Sequence, residues 1–268
     1  PQGTLYGSDA VAGTLRIITK KPEMNTFDIL ADVSGRNGSE GEDSFDHSIV
    51  VNLPLVEDRL ALRLVGFTAK DGGFIDNVFG HTPDSDTTGK ALPSGFGNLD
   101  NADFVEKNWN DSEIDGWRAA LKWDINEDWT ATFSALHQSN KSGALNDFDP
   151  FVGDLEVVRF FDDYRDDEYD LYSLVVEADL GFAQLVSATS FYDREAHEVY
   201  DNTAYNHQWA GTYCQTYAYY QDYLAYLGYF QDPDGSGTVF WPAYCKAPTV
   251  DGDFLTVRDY AQDTDRFT

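Results

Sequence analysis

Past Thr26 the chain breaks into segments in which apolar and polar residues alternate one by one, and a period of two is the signature of half-buried β-strands. Seven such segments are present. The first sets Phe27, Ile29, Ala31 and Val33 against Asp28, Asp32 and Ser34; the second sets Ile49, Val51 and Leu53 against Asp46, Ser48 and Asn52. A third, about 60–70, begins with Leu60, Leu62 and Leu64 opposite Arg63 and loses contrast at Val65 and Phe67. The fourth is the clearest: Trp117, Ala119, Leu121, Trp123 and Ile125 share one face, Arg118, Lys122 and Asp124 the other. The fifth alternates Trp129, Ala131, Phe133 and Ala135 with Thr130, Thr132, Ser134 and Gln138, and the sixth places Tyr172, Leu174, Val176 and Ala178 opposite Ser173, Glu177 and Asp179. The seventh, 182–192, alternates without a clear inside.

The connections alternate as well. Tight turns fall at 55–58, 126–128 and 179–181, while polar excursions run through 36–44, 71–111, 140–167 and from 193 onward. Short and long links therefore emerge at opposite ends of an antiparallel sheet. Outer-membrane β-barrels have this asymmetry, with short periplasmic turns and long external loops, whereas a soluble sandwich has no reason for it.

Composition permits that fold and excludes others. With 47 acidic against 18 basic residues the net charge is -29, and a chain so acidic is no partner for nucleic-acid phosphates. No run of 18 apolar residues occurs and mean hydropathy is -0.45, which rules out a spanning helix in this sequence. Barrel strands escape that test because lipid-facing and lumen-facing residues dilute each other. Aromatic residues, at 15%, suffice for interfacial girdles. The chain opens at Pro1 with no starter Met and no export signal, and so reads as a fragment.

The opening stretch, Pro1-Gln2-Gly3-Thr4-Leu5-Tyr6-Gly7 followed by Ser8 to Gly13 and then Thr14-Leu15-Arg16-Ile17-Ile18-Thr19-Lys20-Lys21-Pro22, resembles the last segment of the plug in TonB-dependent outer-membrane receptors. Asp9 and Ala12 depart from that pattern, where Asn and Gly are more frequent, without losing its small, turn-forming character. The resemblance implies an all-β fold: an antiparallel transmembrane β-barrel of roughly 22 strands, of which about seven are here. Residues 1–23 would be the C-terminal end of the plug domain and 24–268 the N-terminal part of the barrel, with long extracellular loops at about 71–112, 140–167 and 193–266. It also implies a bacterial outer-membrane importer of a scarce ligand, most commonly an iron–siderophore complex, with cobalamin, haem and oligosaccharides open. The TonB–ExbB–ExbD energy-transducing complex would drive it through a segment absent here, and outer-membrane lipid and lipopolysaccharide would surround it.

Ligand-contact candidates cluster in the last long excursion. Tyr217, Tyr220, Tyr223, Tyr226 and Trp241 belong to a dense aromatic stretch; Tyr213, Tyr217, Tyr220 and Leu224 also have helical spacing. Tyrosine offers a flat apolar face with a polar tip, suited to stacking, and a loop mini-core is the competing reading. Cys214 and Cys245 bracket the stretch without metal-site spacing and read as a disulfide. Asp232, Asp234, Ser236 and Thr238 resemble the first half of an EF-hand loop, but Ala243 stands where the bidentate Glu belongs, so a structural calcium there competes with an ordinary Asp-Gly turn. The acidic run Asp162, Asp163, Asp166, Asp167, Glu168 and Asp170 reads as solvated loop, with divalent-ion binding as the alternative. The five histidines, at 47, 81, 137, 197 and 207, sit in no catalytic motif, and no enzymatic activity or other cofactor is expected.

Two rival classes remain. A secreted, acidic calcium-binding β-protein, an adhesin or carbohydrate-binding module, would account for charge, aromatics and cysteines. A glycoside hydrolase is motivated only by abundant carboxylates. Trp117, Leu121 and Trp123 separate the leading pair: a barrel exposes that row to lipid, whereas a sandwich buries it.

Overall fold

The structure, a computed structural model, describes residues 17–82, 100–201 and 203, together with the backbone of 257–267. Eight strands form one antiparallel sheet whose spatial order follows the chain: β1 (Asp28–Arg36), β2 (Ser44–Val56), β3 (Leu60–Asp71), β5 (Ser112–Asp124), β6 (Trp129–Ser142), β8 (Tyr164–Asp179), β9 (Gln184–Asp201) and β10 (Val257–Phe267). The two remaining strands, β4 (Asp76–Asn77) and β7 (Glu156–Val157), pair in parallel with each other outside that sheet. Among the described residues β1 and β10 are not paired with one another, so the sheet is open.

All seven expected strands are present, and the three short turns lie at one end. Asp58 and Gly181 take positive φ there, 57° and 77°, as tight reversals demand. Neighbouring turns are joined, Asp124 N to Arg59 O and Asp179 N to Asp128 O, each at 2.9 Å.

Several expected limits need correction. β6 runs on to Ser142, β8 begins at Tyr164 and β9 continues to Asp201, so the excursion expected at 140–167 shrinks to 143–163. β10 lies inside the stretch expected as loop over 193–266 and makes an eighth strand. In these extensions residues on both faces are polar, as at Asp166, Asp167, Glu168, Asp193 and Glu195, so hydropathy has no contrast to offer. The ladder forms nonetheless, because backbone groups pair wherever a neighbouring strand is held in register. The acidic run 162–170 is accordingly strand from Tyr164 onward, and only Asp162 and Asp163 remain in the connection.

The sheet's two faces invert the usual burial pattern. One face carries Ile29, Ile49, Leu64, Trp117, Leu121, Trp123, Phe133, Leu174 and Phe191, aligned across strands by register pairs such as Leu121 with Phe133 and Phe133 with Leu174. Ile49, Trp117, Trp123, Phe133 and Leu174 each keep 45–50% of their surface exposed. The opposite face holds Asn52 at 1% exposure and Arg63 at 9%, beside fully buried Ala61 and Ala120. We call the apolar face outer and the polar face inner; Leu30 and Val186 are exposed on the inner one. Gly116 is required there, because a Cβ would sit 2.7 Å from the ring of its cross-strand partner Phe67 and 2.5 Å from the His137 carbonyl.

The outer apolar rows end along one register line, Trp117 opposite His137, His137 opposite Asp170, Asp170 opposite Asp193. On the turn side of that line lie seven residues of β5 (118–124) and nine each of β8 (171–179) and β9 (184–192). On the loop side most outward residues are polar, among them Glu113, Asp115, Ser139, Asp166, Glu168, Glu195 and His197, with Phe45, Tyr164 and Val199 as exceptions.

Candidate functional site

The inner face is crossed by residues 17–27, the segment leading into β1. Asn52, at the centre of β2, binds it through the backbone: its amide donates to Glu23 O at 2.9 Å and Thr26 O at 2.6 Å, and its carbonyl accepts from Glu23 N at 3.0 Å. Lys21 reaches Glu177 of β8 at 3.0 Å, and Arg118 of β5 donates to Lys20 O at 3.4 Å. β2 and β8 lie four places apart in the sheet, about 19 Å at the usual strand spacing. Two residues of backbone and one extended lysine bridge that interval. Glu23 pairs with Lys20 at 2.7 Å, and that ammonium holds its carboxyl below the usual range. Asn25 and Asp58 exchange hydrogen bonds at the turn end, 2.6 and 3.1 Å.

Higher on the inner face, at the loop end, polar and aromatic side chains replace this packing. Gln138, Tyr169 and Arg194 occupy one register row, Asn140 and Asp167 the next, and Tyr192 the row below. They line a hollow of about 410 Å³. Arg194 clasps Asp167 with two bonds, Nε to Oδ1 at 2.7 Å and Nη2 to Oδ2 at 2.5 Å. Arg165 lies 2.9 Å from both Asp167 and Glu198, so the two cations of this cluster are balanced by two carboxylates. The Tyr169 and Tyr192 rings stand 5.7 Å apart at 44°, and the Tyr169 hydroxyl donates to Gln138 Oε1 at 3.1 Å.

Above the sheet, residues 72–82 and 100–111 fold against the connection 143–163. Asp76 N donates to Leu155 O and Val78 N to Val157 O, both at 2.9 Å, which makes the parallel β4–β7 pair. Ile75, Trp109, Val157 and Phe160 form a small buried core there. Asparagines complete it. Asn77, 1% exposed, donates to Phe104 O and Arg159 O and accepts from Arg159 N at 2.8 Å; Asn101 donates to Val78 O and Arg159 O; Asn110 accepts from Phe74 N and Ile75 N. Gly73 lies so close to the Asn108 backbone that any Cβ would collide with its carbonyl. Asp163 seals the base of this cap, accepting from the Asp201 N–H and lying 3.2 Å from Arg159 Nε; burial pushes its carboxyl up.

The sequence-derived candidates are only partly within view. The plug-like motif Pro1–Gly13, the aromatic stretch with Tyr217, Tyr220, Tyr223, Tyr226 and Trp241, the cysteines Cys214 and Cys245, and the calcium-loop residues Asp232, Asp234, Ser236 and Thr238 lie outside the described residues. Of the acidic run, Asp163 and Asp167 are held by arginines, while Asp166, Glu168 and Asp170 face outward. Among the described residues no group of three or more His, Cys, Asp or Glu is disposed to hold a metal ion. Sequence reasoning passed over Tyr169, Tyr192, Arg194 and the cap asparagines. The clue for the cap was its scattered apolar residues, Ile75, Trp109, Val157 and Phe160, in stretches otherwise as polar as loops. No protein-family model, curated protein or solved structure matches this chain.

Proposed function

We propose that this chain is the end of the plug and the first eight barrel strands of a TonB-dependent outer-membrane receptor, a transporter and not an enzyme. The observation that carries the reading is the outer face. Rows of Trp, Phe, Leu and Ile stand exposed across seven strands while polar side chains such as Asn52 and Arg63 are buried on the opposite face, a pattern unfavourable in water over so large a patch and expected in lipid. The nine-residue stretches on the turn side of the Asp170–Asp193 line match the roughly 9–11 residues with which a tilted strand crosses a bilayer. Trp117, Tyr172 and Phe191 near the upper limit and Trp123 and Trp129 near the lower one suit the two interfaces.

A soluble calcium-binding module would bury the Trp117, Leu121 and Trp123 row against a second layer, and the described residues provide none. The segment 17–27, running across the inner face into β1, suits a chain that leaves a plug inside the barrel and enters its wall. In this reading the short turns face the periplasm, the β4–β7 cap faces outward, and the plug's distant N-terminal part engages the TonB–ExbB–ExbD complex. The cargo is a scarce ligand drawn from the class that iron–siderophore complexes represent.

The test is fractionation of the full-length protein. It should sediment with outer membranes and, in detergent, give β-rich circular dichroism and a band whose electrophoretic mobility changes on boiling. A soluble, monodisperse protein without detergent would overturn the proposal.

A further inference from the structure

We infer that the hollow between β6, β8 and β9 is a subsite for a neutral, hydroxyl-rich ligand, an oligosaccharide, rather than for an anionic metal chelate; this rests on the receptor reading above. The argument is the balance of groups that line it. Ferric complexes of catecholates and carboxylates carry net negative charge, and a site for them must present net positive charge. Arg194 gives two of its N–H donors to the Asp167 carboxylate, and Arg165 lies 2.9 Å from both Asp167 and Glu198, so each positive charge is met by a carboxylate. The cluster is electrically balanced.

What remains available is neutral. Among the described residues, neither the Asn140 amide nor the Tyr192 hydroxyl has a hydrogen-bond partner, and Gln138 uses only its carbonyl, on Tyr169. Planar amides with paired donors and acceptors match vicinal hydroxyls. Two half-buried tyrosine rings at 5.7 Å provide the apolar surface on which the C–H face of a pyranose packs. These residues sit on long strands locked on both sides by ladder pairs, so the site is positioned before any ligand arrives. Its place on the inner face, at the loop end and above the segment 17–27, is where a descending ligand would first meet the wall.

The proposal also assigns a selectivity residue. Asp167 neutralises two arginines at once, so Asp167→Asn should release cationic donors into the hollow and convert it toward anions.

The experiment uses full-length protein extracted from outer membranes, with binding measured calorimetrically in detergent against a panel of neutral malto-, cello-, xylo- and manno-oligosaccharides and against a ferric tris-catecholate. The expected result is binding of at least one oligosaccharide, weakened at least tenfold by Tyr192→Ala and by Asn140→Ala, with heat-modifiable mobility intact. The outward variant Glu195→Gln should leave that binding unchanged. Asp167→Asn should gain measurable affinity for the ferric chelate. Binding of the ferric chelate alone by the unaltered protein, or of nothing in the panel, would overturn the subsite while leaving a membrane-inserted receptor standing. Failure to fractionate with membranes would overturn both.

Discussion

Lys21 Nζ lies 3.0 Å from the Glu177 carboxylate, tying the segment that precedes the first strand to a residue 156 positions later. Both side chains are about half exposed, so the pair gains little: removing it with Lys21→Ala should cost under about 1 kcal/mol. Asn52 is the contrasting anchor. It is buried, and its amide makes three bonds to the same segment, so Asn52→Ala leaves Glu23 and Thr26 backbone groups unpaired at a cost of about 2–3 kcal/mol. Denaturant titration of the detergent-solubilised protein, followed by loss of heat-modifiable mobility, should rank the two variants in that order. Equal effects would mean that the buried amide holds the segment no more strongly than the exposed ion pair.

Phe133 stands mid-row on the outer face between Leu121 and Leu174. If that row meets lipid, Phe133→Arg should lose roughly 2–4 kcal/mol of folding free energy in bilayers. The same change at outward Ser139, above the apolar rows, should be close to neutral. Refolding yields into lipid vesicles measure the difference, and matching yields for both variants would contradict a membrane-facing row.

Asn77 fastens the two long connections by replacing a missing strand neighbour: it pairs with both the N–H and the carbonyl of Arg159. Asn77→Ala should therefore open the cap at a cost of about 3 kcal/mol while sparing the sheet. Limited proteolysis should show new cleavage within 143–163 with no change in overall strand content. Unaltered cleavage would mean that the apolar core of Ile75, Val157 and Phe160 suffices by itself.

Asp163 makes the cap sensitive to pH. Burial is the largest influence on its carboxyl and raises its pKa, outweighing the attraction of Arg159. A raised folded-state pKa favours the protonated acid, so this contribution to cap stability is complete below the unfolded value, about 3.9, and is lost as pH rises through the folded one. Hydrogen exchange of residues 155–163, corrected for intrinsic rates, should show protection falling across that window. In Asp163→Asn, which keeps an acceptor for the Asp201 N–H, the dependence should flatten. Protection that instead grew with pH would show Arg159 dominating.

What the residues disclose in advance follows from what each face touches. Between Trp117 and Trp123 every second residue lies on the apolar face of the sheet and its neighbours on the polar one, so alternation located that strand, its facing and the turn after it. Above the Asp170–Asp193 line both faces are polar, and the same rule mistook ordered ladder for loop at Tyr164, Glu168 and Glu195. The eighth strand was missed for the same reason: Asp259, Asp263 and Asp265 read as loop, yet their backbone pairs along β9. The hollow was invisible because Gln138, Tyr169 and Arg194 are 56 residues apart at the extremes and become one row only through two registers that no local pattern specifies. The Asn77 network escaped notice because asparagine in a polar stretch ordinarily signals a turn, and only burial distinguishes a structural amide from a solvated one.

The parallel pairing of β4 with β7 also constrains how such a chain can change over generations. A residue inserted at 76–78 would displace every bond to 155–157 and withdraw Asn77 from Arg159, so length changes that preserve the fold must fall elsewhere in the two connections. Two outward loops that would otherwise diverge independently are thereby bound to a shared history. A substitution that reshapes one of them selects for compensation in a segment some 80 positions away.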